Sequence, residues 1–220
     1  MEESRLKAHL QKLKADLAPM SWRGRIEHLW TYYKWLVFAA IGVIIFLHML
    51  LSALIAGNRE VLISGIGINV PMTQEGITCL TDEYLTRLEG TKRQTVQYLD
   101  EILDMDNPAI GQEASYSTIV KVSGLISTNG LDYFLMDSEA LDYYDEGDLF
   151  MDLQNLFSQE ALAQLTVLEI QGVPMLIDIS GTWFAETYIT AEGPCYLAFA
   201  YNAPHPEACL DLWQYLQSGK

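Results

Sequence analysis

The sequence predicts an α/β protein on a membrane stem. An amphipathic helical arm (residues 1–34) and one transmembrane helix (35–56) precede a single, mostly parallel-sheet domain (57–220). Three observations predict this. Residues 35–58 carry no formal charge. Basic residues crowd in front of that run. Beyond it, strand-like and helix-like segments alternate, which is the pattern of a sheet covered by helices.

The 220 residues hold 13 Lys+Arg and 29 Asp+Glu, for a net charge of −16. Seven of those cations and four of those anions lie in residues 1–34, giving that arm +3. The remaining 6 cations and 25 anions give the rest of the chain −19. No Lys or Arg occurs from Val122 to Gly219. Phosphate binding needs clustered cations, so the composition excludes nucleic acid as a partner of the larger part.

The apolar run from Trp35 to Ala56 is 22 residues. At a rise of about 1.5 Å per residue it reaches roughly 33 Å, enough for a hydrocarbon core of about 30 Å. Trp30, Tyr32, Tyr33 and Trp35 cluster at its start around Lys34, as an interfacial aromatic belt with one snorkelling cation. A cleaved signal peptide would have a shorter apolar region near the N-terminus and small residues before the cut. The run therefore reads as an uncleaved anchor. The positive-inside bias places residues 1–34 in the cytoplasm and 57–220 outside the cell membrane. His48 and Ser52 share one face of the anchor, either as a polar contact between helices or as a tolerated neutral pair.

Leu6, Leu10, Leu13 and Leu17 form a stripe at helical spacing in the arm, ended by Pro19. A Trp-rich basic stripe (Trp22, Ile26, Leu29 or Trp30, and Tyr33) follows. It favours an interfacial helix lying on anionic lipid over a coiled-coil seam or a partner helix.

The outer part reads element by element. Residues 61–70 are β-branched and stop at Pro71, a strand. Ile77, Leu80, Tyr84 and Leu88 have helical spacing ended by Gly90. Residues 95–99 form a strand and 100–111 an acidic loop. Residues 115–129 are ambiguous, since Ile119, Val122 and Ile126 fit a helix that Val120 and Gly124 weaken. Residues 132–136 are a strand, and 138–144 a helix opened by a Ser cap. Residues 159–165 form a short helix. Residues 167–179 form a strand, interrupted at 172–174. Residues 194–201 form another strand, and 206–217 a closing helix.

Few residues suggest chemistry. His205 is the single His of the outer domain. With Cys195 and Cys209 it sketches a metal site that lacks a fourth ligand. Cys195 and Cys209 are better candidates for a disulfide closing a loop of about 15 residues, worth about 3 kcal/mol. Buried free thiols are the alternative, and Cys79 reads as core beside Leu80. Asp104, Asp106 and Asn107 begin like a calcium loop, but Pro108 and Ala109 break the pattern. Gly65-Ile-Gly67 lacks the third Gly of a nucleotide loop. No cofactor motif and no catalytic constellation is complete. Trp183 and Tyr188 sit in a segment without clear periodicity, where aromatics either line a groove or pack.

The segment Asn129-Gly-Leu-Asp132-Tyr-Phe-Leu-Met-Asp137-Ser138 runs on to Gly147-Asp-Leu149 and Asp152-Leu153. It resembles the extracellular solute-binding proteins of ABC importers. There, Gly-x-Asp and an apolar strand lead into a short helix, then Gly-x-Leu and an Asp-Leu pair. The resemblance covers about residues 60–155 and 166–216 and implies one lobe of that fold, with 196–216 as the return segment. The chain leaves no room for a second lobe between Leu156 and Val167, and its anchor is a helix rather than a lipid. The layout is also similar to uncharacterised single-pass membrane proteins with Tyr-Tyr-Lys-Trp (Tyr32 to Trp35 here) opening the anchor.

The expected function is a membrane-anchored, extracytoplasmic binding or interaction module without catalysis, accessory to a membrane complex. Its partners would be the bilayer and another membrane or surface protein. The alternative is solute capture for an importer through a shallow site at the loops after the strands, at Asp137, Ser138 and Trp183. An enzyme of unknown class is the third reading.

Overall fold

A computed structural model describes residues 22–57, 59–104, 112–144 and 148–219. The leucine stripe of the arm and most of the acidic loop lie outside the described residues. The chain divides into two units, Met1–Asn58 and Arg59–Lys220.

In the first unit, α1 runs unbroken over Trp22–Gly57. Every side chain described from 38 to 52 is exposed, on all sides of the helix. Trp30 and Trp35 each meet Phe38 edge to face, at 5.8 and 6.4 Å. Among the described residues no helix is long and apolar enough to cross a membrane.

In the second unit, one six-stranded sheet holds β1 (Glu60–Ile68), β2 (Gln94–Glu101), β3 (Tyr133–Met136), β4 (Val167–Ile170), β5 (Val173–Asp178) and β6 (Tyr196–Phe199). The order is β2-β1-β3-β6-β5-β4. The α/β class holds, but the expected mostly parallel sheet is corrected to a mixed one. β1 pairs parallel with β2 and β3, whereas β6 returns antiparallel between β3 and β5, and β4 and β5 are antiparallel. The alternation of strand and helix misleads here because it does not fix strand direction: β4 and β5 form a hairpin, and β6 inserts antiparallel between β3 and β5. The interruption at 172–174 is likewise a hairpin. Gln171 and Gly172 both have positive φ (53° and 81°), as a two-residue type I′ turn requires.

Helices cover both faces. On one side lie α2 (Gln74–Thr78), a π-helical turn (Cys79–Glu83), α3 (Tyr84–Arg87), α6 (Gln159–Leu162), α7 (Trp183–Tyr188) and α8 (Pro206–Ser218). Leu80, Tyr84, Phe184, Leu212 and Leu216 from that layer pack on Ile63, Tyr133, Leu135, Leu197 and Phe199 of the sheet. The other face buries Ile66, Ile68, Phe134, Met136 and Ala198 under Val122 and Ile126 of α4 (Gln112–Ser127) and Ala140 of α5 (Ser138–Tyr143). The ambiguous segment is thus helical. Ser115, Thr118, Val122 and Ile126 are its buried stripe, spaced by three and four residues.

The Gly65-Ile-Gly67 fragment has a packing role. Gly65 stands opposite Tyr98 of β2 and Tyr133 of β3. The Tyr133 ring lies directly over Gly65, and the Tyr98 hydroxyl reaches Gly67. Missing side chains on β1 let two aromatic rings fold inward from its neighbours.

Candidate functional site

β3 and β5 both run antiparallel to β6, so their carboxyl ends share one edge of the sheet. Met136 and Asp178 both stand opposite Tyr196. The expected ligand residues are placed there only in part. Asp137, not Ser138, caps α5: its Oδ1 accepts from the Ala140 amide at 2.8 Å. Ser138 is the exposed first residue of the helix. The Asn69 side-chain amide also donates to Asp137 Oδ1, at 3.4 Å. Asp178 Oδ1 accepts from the Ser180 amide (2.9 Å) and hydroxyl (2.6 Å), and Ser180 Oγ accepts from the Cys195 amide at 3.0 Å. Trp183 is not in a loop. It opens α7 behind its Thr182 cap, and its ring meets Tyr188 and Tyr215 edge to face at 5.5 and 6.1 Å. It packs against the end of the closing helix at Gly219. The edge therefore gathers Asp137 and Asp178 but turns Trp183 into the helical layer.

The disulfide considered from the sequence is not formed. Cys79, Cys195 and Cys209 are free and buried. Burial, with Asp137 and Asp178 nearby, pushes the Cys195 thiol up to about 12. Burial, then Asp132, raises Cys209 as well. Cys79 Sγ lies 3.0 Å from the Tyr215 hydroxyl. Tyr84, Tyr98, Tyr133 and Tyr215 are all raised, first by burial, and Tyr144 reaches about 12 for the same reason. Folding thus favours the neutral thiols and phenols. In the unfolded chain they ionise from about 8.5 for Cys and about 10 for Tyr, so above about pH 8 the unfolded state holds fewer protons. Stability is expected to be flat from neutral pH to about 8, then to fall as pH rises through about 12. Urea midpoints measured against pH check this. A midpoint unchanged to about pH 11 would contradict it.

At the opposite, amino-terminal end of β3 the structure builds a site that the sequence did not reveal. Asp132 is fully buried. Its Oδ2 accepts from the Ser64 amide at 2.8 Å and its Oδ1 from the His205 amide at 2.8 Å. The His205 ring Nδ1 lies 3.1 and 3.2 Å from the two oxygens. A carboxylate accepts only, so Nδ1 carries the hydrogen and Nε2 faces away. His205 precedes α8, whose first turn has no side-chain cap. A pocket of about 310 Å³ opens beside the pair, lined among others by Val61, Ser64, Gln97, Leu125, Asn129 and Pro204.

The sequence suggests His205 only as a metal ligand with Cys195 and Cys209. Among the described residues no group of three or more His, Cys, Asp or Glu could hold a metal. The signal for its true partner was the Gly-x-Asp of Gly130 and Asp132, but the pair is separated by 73 residues. Nothing local joins them. No family model, no curated protein and no solved structure matches the chain.

Proposed function

We propose that the protein is a membrane-tethered, extracytoplasmic binding module without catalysis, acting as an accessory to a membrane complex. The observation that carries this is the exposure of α1. Ten large apolar side chains between Phe38 and Leu51, Phe46 and Leu47 among them, are each about half exposed or more. Full burial of such a side chain is worth about 1.5–3 kcal/mol, so in water they would forfeit on the order of 10 kcal/mol. That is comparable to the whole stability of a domain, about 5–15 kcal/mol. A bilayer around residues 35–56 removes the mismatch. The +3 arm ahead of them orients the outer unit away from the cytoplasm. The likeness to one lobe of a solute-binding protein draws support from β6, which returns antiparallel beside β3 and hands over to α8. Solute capture is the second reading, favoured by the pocket at His205.

Protease added outside intact cells is expected to remove the outer unit and leave a membrane-bound fragment of residues 1 to about 60. Full protection of that unit in intact cells, with cleavage only after lysis, would overturn the orientation. Crosslinking in membranes is expected to recover a heteromeric product. Recovery of the monomer alone would count against the accessory role.

A further inference from the structure

We propose that the pocket beside His205 binds a small organic ammonium, held by a carboxylate–imidazole–ammonium relay. Asp132 is fully buried and accepts from the Ser64 and His205 amides. Neither donor carries a full charge. The lining of the pocket contains no Lys or Arg, and the chain has none from Val122 to Gly219. Among the described residues, the side chain paired with this carboxylate is the His205 ring. A buried carboxylate without a cationic partner is costly, and a cation that completes it gains correspondingly.

The geometry says where that cation sits. Nδ1–H points at Asp132, so a neutral ring presents the Nε2 lone pair on its far side. The carboxylate behind the ring strengthens Nε2 as an acceptor, as it does for metal-bound imidazoles. The His205 side chain is 39% exposed and lines the pocket. An ammonium N–H donates to Nε2 and brings positive charge to the far end of the relay. Val61, Leu125 and Pro204 supply apolar wall for a short carbon chain, and the amides of Gln97 and Asn129 are polar neighbours. About 310 Å³ is at the small end of ligand sites, which suits a body of a few carbons. The −19 of residues 35–220 concentrates cations near the surface. A carboxylate or phosphate ligand would meet the opposite field.

The inference stands on the pocket alone. It holds whether or not residues 35–56 cross a bilayer, so protease shaving can fail without touching it, and the reverse. The test uses the full chain in nonionic detergent, in mildly alkaline buffer, with ring-proton NMR of the histidines. The His205 signals are those absent from His205→Gln. Titration with n-butylammonium is expected to shift them saturably, while n-butanol, of matching shape without charge, shifts them at least tenfold less at equal concentration. His205→Gln is expected to weaken butylammonium binding at least tenfold by calorimetry. No saturable His205 shift, or equal shifts with butanol, overturns the proposal. So does unchanged affinity in His205→Gln.

Discussion

Gly65→Ala is expected to cost the outer unit at least about 3 kcal/mol, a large share of a typical domain stability of about 5–15 kcal/mol. The new methyl carbon would overlap the ring of Tyr133. Overpacking usually costs about 1–3 kcal/mol because side chains or backbone shift to make room. Here the shift is blocked. Tyr133 is fully buried, and its layer packs Leu80, Tyr84, Leu197 and Cys209 in the same core. The backbone of β1 cannot retreat either, because β2 and β3 hold it on both sides. Gly124→Ala is the control. A methyl there meets nothing within 4 Å, so helix propensity alone should raise stability by about 0.5–1 kcal/mol. Urea denaturation separates the two. Combining Gly65→Ala with Tyr133→Leu should recover part of the loss, as coupled neighbours do. A Gly65→Ala protein with the parental midpoint would sink the account of why β1 carries two glycines.

Asp132→Ala should destabilise by about 3–5 kcal/mol. The carboxylate holds three chain segments together: β1 through the Ser64 amide, its own strand, and the approach to α8 through the His205 amide and ring. Removal leaves buried amide donors without an acceptor, each costing about 1–3 kcal/mol. Asp132→Asn preserves the size but turns part of the acceptor into a donor, so it should lose less than Ala and still a clear amount. Thermal or urea unfolding decides. A neutral Asp132→Ala would mean that the amides find other partners, and the buried carboxylate would lose its structural role.

These two residues show where the sequence was legible. Local patterns located the strands and most helices, because the central strands β1, β3 and β6 are apolar runs that the sheet buries. Direction was not legible. β6 is four residues long, and nothing in Tyr196–Phe199 tells which neighbour it joins or which way it runs. The hairpin at Gln171 was hidden because a non-glycine residue takes positive φ there. The cap of α5 was off by one, since Asp137 and Ser138 are both cap formers and only the Ala140 amide chooses between them. The candidate site was read on the wrong edge of the sheet. Loops after strands are the usual place to look in α/β proteins, whereas the Asp132–His205 pair depends on tertiary contact at the opposite end.

The placement of β6 also governs when the outer unit can fold. It lies between β3 and β5 in the sheet but follows both in sequence, at residues 196–199. Until those residues leave the ribosome, β1–β3 and β4–β5 are two separate ribbons with unpaired facing edges. The helix that closes one face, α8, is made later still. β6 therefore completes the sheet last, and a chain that lacks residues 196–199 leaves β3 and β5 without the strand that joins them.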